Sequence, residues 1–177
     1  MRTRNRWIRC VCAAACTAPL LVMGGAAAAS AVPVSAAASV SASVTPLTVR
    51  ASSPGEILSL VNAERAKAGC EPLKADPRLM QAAQAHADDM AANGLTGHDG
   101  SDGSSALSRM EKAGYSPAGQ SSENVSGPGF DSSKAHVDGW MASERGHRAA
   151  ILNCAFKETG IGTSGQFAVE VFAVSAR

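Results

Sequence analysis

Apolar residues in this chain follow a helical period first and a strand period last. Ser53-Pro54-Gly55-Glu56 opens the first periodic stretch: Ser53 is placed to cap, Pro54 suits the first helical turn, and Glu56 sits where it can close a capping box. Ile57, Leu58, Leu60 and Val61 supply the apolar face, and Gly69 ends the helix. Asp76-Pro77 repeats the start signal, and the helix behind it runs to about Asn93-Gly94 with Leu79, Ala83 and Met90 inside. A third helix is predicted over residues 104–113, stopped by Gly114. A fourth starts at Asp131 or Ser132 and carries Val137, Trp140 and Met141; a helical turn follows near residues 147–152. Then the period changes. Thr159, Ile161 and Thr163 alternate with glycines, Ser164-Gly165 signals a turn, and residues 167–174 read as a buried strand. A shorter strand is expected over residues 123–126. Helices and strands without regular βαβ alternation predict an α+β fold.

The first thirty residues do not belong to that pattern. Arg2, Arg4, Arg6 and Arg9 precede an alanine-rich apolar stretch that ends in Ala29-Ser30-Ala31, the order of a secretory signal peptide over residues 1–31. The rival is a membrane anchor, which Pro19, Gly24 and Gly25 and the abundance of alanine disfavour. No stable membrane span is expected after cleavage. Residues 32–53 are rich in Ala, Ser and Val and read as a linker, which leaves residues 54–177 as the domain. Residues 1–31 hold four of the 16 basic residues and none of the 15 acidic ones, so the remaining chain carries a net −3. That balance argues against a nucleic-acid partner. Cys10, Cys12 and Cys16 lie in the leader; Cys70 and Cys154 remain, an even number in an oxidising compartment, and are expected to pair.

Several short motifs then occur in order: Leu60-Val61-Asn62-Ala63-Glu64-Arg65; Gly69-Cys70-Glu71-Pro72-Leu73; Asp76-Pro77-Arg78-Leu79 before a helix with His86 and Met90; Gly97-His98; Ser122-Glu123-Asn124-Val125; Gly139-Trp140-Met141-Ala142-Ser143; Gly146-His147-Arg148; Ile151-Leu152-Asn153-Cys154; and Gly160-Ile161-Gly162. Each is weak alone. Together they resemble the CAP superfamily of cysteine-rich secretory and pathogenesis-related proteins, in its bacterial secreted form, over essentially the whole domain.

The resemblance implies a three-layer α-β-α sandwich with a central antiparallel sheet, and a cleft lined by histidine and glutamate. His98, Glu123 and His147 match the family's positions. There are departures: Ser122 replaces a glycine, Arg145 looks like an insertion before Gly146-His147, and Ser143 stands where eukaryotic relatives carry a glutamate, with Glu144 beside it as the candidate fourth member. The family's usual strand glutamine corresponds to Glu170. Two imidazoles and a carboxylate form a set for Zn²⁺ or another divalent metal, with a position left open. The bland alternatives are a loop histidine at 98, a hydrogen-bond acceptor for loop amides at 123 and a helix-cap or ion-pair residue at 147. His86 reads as a packed structural histidine, and His136 as an exposed neighbour of Trp140.

The functional expectation is a secreted, non-enzymatic binding module for a metal ion, a lipid- or sterol-like ligand, or a cell-envelope component. The alternative is a metal-dependent hydrolase of peptide or envelope polymer, with Glu123 as base to a water on a His98–His147 metal. No Gly-x-Ser-x-Gly elbow supports serine catalysis.

Overall fold

A computed structural model describes residues 51–117 and 119–174. The expected leader and most of the linker lie outside the described residues. The elements are α1 (Pro54–Lys67), β1 (Lys74–Ala75), α2 (Pro77–Asn93), α3 (Ala106–Lys112), β2 (Ser121–Ser126), α4 (Ser133–Ala142), α5 (His147–Ile151), β3 (Glu158–Ser164) and β4 (Phe167–Ala173).

The helix ends follow local side-chain chemistry. Ser53, Asp76, Ser105 and Ser132 each accept a backbone amide of the following turn, which satisfies donors that the helix itself leaves orphaned. Gly94 caps α2 in the left-handed region, at φ 66°, where a side chain would be strained.

The sheet order is β1-β3-β4-β2. β3 and β4 form a hairpin from Ser164↔Phe167 back to Glu158↔Ala173, and β2 pairs antiparallel with β4 from Ser126↔Ala168 to Ser121↔Ala173. The sheet is not wholly antiparallel, as the resemblance implied: β1 joins the β3 edge in parallel through Lys74↔Glu158 and Ala75↔Thr159. Two residues carry no alternation, so this strand had no signal in the sequence.

Alternate residues of β4 face opposite layers. Val169, Val171 and Ala173 join Leu79, Ala83, Met90 and Met110 under α2 and α3. Ala168 and Phe172 join Ile57, Val61, Trp140 and Ile151 under α1, α4 and α5. The result is the expected three-layer sandwich. Helix α2 rests directly on β3: a Cβ at Gly160 would lie 1.9 Å from the backbone carbon of Leu79, and one at Gly162 would lie 2.4 Å from the Cα of Gln84. The glycines that alternate in β3 are therefore the contact surface of α2, since no real Cβ tolerates such distances.

Cys70 and Cys154 are disulfide-bonded, 84 residues apart. Beside them the wholly buried Arg65 donates to the carbonyls of Glu71, Ile151, Asn153 and Phe156 at 2.6–3.1 Å. Disulfide and guanidinium together tie α1 to the α5–β3 connection.

Candidate functional site

β2 is an edge strand, and residues on its two faces reach around that edge. Glu123 lies on the α2–α3 face, with its side chain 3% exposed. Arg109 Nη2 of α3 donates to Oε2 at 2.8 Å, and His98 Nδ1 meets Oε1 at 3.0 Å. Both carboxylate oxygens are engaged. The same Arg109 donates to the carbonyls of His98 at 2.9 Å and Ser104 at 2.7 Å. It thereby straps the loop between α2 and α3 onto β2. Charge-assisted bonds of this kind are the strong ones when solvent is kept away.

His98 stands on that loop with its side chain 56% exposed. Its Nδ1 is committed to Glu123, which leaves Nε2 for a ligand. His86, wholly buried in α2, fixes the preceding residue: its Nε2 lies 3.0 Å from the Gly97 carbonyl. The packed reading of His86 holds, and its packing also positions its neighbour in the loop.

His147 is the first residue of α5, on the far side of the β2 edge. Its carbonyl accepts Asn124 Nδ2 at 3.2 Å, which ties α5 to the residue next to Glu123. Burial, then the nearby charge of His98, then Arg145, hold its imidazole below the ordinary histidine pKa. The two imidazoles thus feel each other across the strand. Glu144 is exposed in the α4–α5 turn and makes no hydrogen bond to His98, Glu123 or His147. It lines a separate shallow depression with Met141, Arg148 and Leu152.

Sequence reasoning missed Arg109, because nothing local distinguishes it from a solvated helix arginine. Glu123 does accept hydrogen bonds, as its bland reading held, but from side chains rather than loop amides. His136 needs correction: it is wholly buried, not exposed, between Phe130 and Trp140, with Nδ1 2.7 Å from Ser126 Oγ. Burial lowers its pKa, against a weaker upward pull from Asp131. This Ser–His pair is sealed from solvent and offers no nucleophile to a substrate.

The donor chemistry limits what the site does. A catalytic zinc site takes three protein ligands. Here two imidazole nitrogens are available, while the carboxylate is taken by Arg109 and His98. Among the described residues no group of three or more His, Cys, Asp or Glu side chains is arranged to hold a metal ion. The residues therefore fall short of a resident catalytic metal. Nor is Glu123 free to act as a base, since a base needs an oxygen within reach of the substrate's proton.

Known proteins resemble this one over the same region. A sequence model described as CAP, cysteine-rich secretory protein family, matches residues 58–174. The Bacillus subtilis (strain 168) protein named uncharacterized membrane protein YlbC is 32% identical over 124 residues, 70% of this chain and 35% of its own length. Uncharacterized protein YkwD of the same organism is 36% identical over 109 residues, 60% of this chain and 40% of its own. This chain thus spans well under half of those relatives. Among solved structures, an extracellular protein containing an SCP domain from Bacillus anthracis superposes with a TM-score of 0.65 at 26% identity, covering 69% of this chain and 40% of that one. An outer surface protein of Borrelia burgdorferi gives 0.60 at 21% identity over 68% of this chain and 90% of its own, a likeness of fold alone.

Proposed function

Because the chain belongs to the CAP family of cysteine-rich secretory proteins, we propose that it is an exported, non-enzymatic recognition domain for a polar component of the cell envelope. The observation that carries this reading is the clamp on His98. Glu123 holds the ring at Nδ1, Arg109 holds both Glu123 and the His98 carbonyl, and the rest of the ring projects half-exposed from the strapped loop, near enough for its charge to act on His147. Preorganisation of this kind lowers the ordering cost of binding. Polar chemistry is favoured because this face presents imidazole nitrogens, and the apolar cavity bounded by Pro54, Leu58, Met80 and Ile161 is about 100 Å³, below the roughly 300 Å³ at which ligand sites commonly begin. Hydrolysis is the weaker reading, with Glu123 already bonded at both oxygens.

Export is supported by the basic n-region, the apolar stretch and the small-residue site at residues 29–31. The B. anthracis relative described as extracellular points the same way. No helix among the described residues is long and apolar enough to cross a membrane. The test is co-sedimentation of purified protein with insoluble peptidoglycan. The wild type is expected to sediment, and the His98→Ala, His147→Ala double variant to stay in the supernatant with its circular dichroism unchanged. Equal sedimentation of the two would remove this face from recognition.

A further inference from the structure

A groove of about 440 Å³ lies between α2, α3 and the loop that joins them. It is separate from the exposed face of His98. Its volume falls within the range of small-ligand sites. The two helices run in opposite directions along it. Arg78, near the start of α2, reaches the Gly114 carbonyl beyond the end of α3, and Asp89, near the end of α2, accepts Ser101 N and Oγ from the connecting loop. The charges of the lining are thereby sorted. Asp89 and Asp102 stand at the loop end, Lys112 stands at the other, and Ala82, Ala85 and Ala113 form a small-residue floor between them.

Arg109 belongs to the wall of this groove. Its side chain is only 7% exposed and its two terminal nitrogens are spent on Glu123, His98 and Ser104, but its Nε–H has no acceptor. A buried donor left unpaired is destabilising, and an acceptor brought to it relieves that. Lys112 makes no ion pair among the described residues.

We propose that this groove binds a short zwitterionic peptide: its ammonium at Asp102, whose Oδ1 alone is bonded among the described residues, to Ser104 N; a backbone carbonyl on Arg109 Nε; and its carboxylate at Lys112. The dimensions agree. Ser104 to Lys112 is eight steps: seven along α3 from its cap Ser105 at about 1.5 Å each and one extended step of about 3.3 Å, roughly 14 Å in all. An extended dipeptide spans about 7 Å, and a hydrogen bond of about 2.8 Å at each end completes the length. The alanine floor admits small side chains. A neutral saccharide would leave both charged ends without a counter-ion, and a simple anion would meet the two aspartates.

The test is titration of ¹⁵N-labelled protein with alanyl-alanine, followed by NMR. Saturable shifts are expected at the amides of Ala85, Ser101, Ser108 and Lys112. N-acetyl-alanyl-alanine and alanyl-alanine amide, each lacking one charge, are expected to bind at least about tenfold more weakly. Ala85→Leu fills the groove from an exposed position, and Lys112→Gln removes one end; each is expected to abolish the shifts, while His98→Ala leaves them intact. Absence of saturable shifts at these amides in the wild type would overturn the proposal. So would equal binding of the blocked peptides, or binding that survives both groove variants in folded protein. Loss of binding in His98→Ala alone would assign the ligand to the other face.

Discussion

Glu123 and Glu170 lie one register step apart on neighbouring strands, since Glu123 pairs with Val171 and Asn124 with Glu170, and they face opposite sides of one sheet. Glu123 is met by a guanidinium and an imidazole. Glu170 is wholly buried; Thr159 Oγ1 at 3.3 Å is its sole partner among the described residues, and its second oxygen is unpaired. Arg65 is near enough to pull its pKa down, yet spends its nitrogens on carbonyls, and burial prevails, holding the Glu170 carboxyl at about 8. One carboxylate is a clamp at the rim; the other is a nearly neutral polar group in the core. Burial alone does not set a carboxylate's role; its counter-charge does.

The sharpest way to break this contrast is to strip Glu123 of its cation. Arg109→Leu leaves a buried carboxylate unpaired and is expected to cost about 3–5 kcal/mol, read as a lowered denaturant midpoint with loosening of the loop around His98. A midpoint within experimental error of wild type would mean that the clamp does not hold the loop.

On the other face the expected sign is reversed. Glu170 keeps its proton in the folded chain up to about 8 but, at its ordinary value of 4.5, loses it in the unfolded chain. Folding therefore takes up a proton between those values, and stability falls as pH rises from about 4.5 through about 8, then levels off. Glu170→Gln removes this dependence and is expected to stabilise the protein at pH 9 by a few kcal/mol, measured by urea unfolding across pH. Identical pH profiles for variant and wild type would contradict the assignment.

A smaller effect belongs to the buried histidine on that same side. Ser126→Ala leaves His136 Nδ1 without its partner at 2.7 Å and is expected to cost about 1–3 kcal/mol. Because burial lowers the His136 pKa, its contribution is present above the ordinary value and is lost as pH falls through the folded one. The smallest expected effect is at the exposed end of the clamp. His98→Ala removes a half-exposed ring and is expected to change stability by less than about 1 kcal/mol while abolishing sedimentation with peptidoglycan.

These contrasts also show what the sequence exposed. The caps at Ser53, Asp76 and Ser132 and the stop at Gly94 were legible, because capping is decided within four residues. The β3–β4 hairpin was legible from its alternation and its turn. The disulfide followed from cysteine count and compartment, and the resemblance named His98, Glu123 and His147. What escaped depends on distant partners. β1 exists because β3 offers it a parallel edge. His136 is buried because Phe130 folds over it. Arg109 became a clamp only when α3 settled against β2, and that contact decides whether Glu123 is a free base or a fixed support.

That last point is most directly tested by calorimetric titration of the purified protein with zinc, beside the His98→Ala, His147→Ala double variant. With the carboxylate committed to Arg109 and His98, no one-to-one binding tighter than about 1 μM is expected, a threshold of about −8.2 kcal/mol. Stoichiometric binding tighter than that in the wild type, lost in the double variant, would contradict this and restore a metal centre at this edge of the sheet.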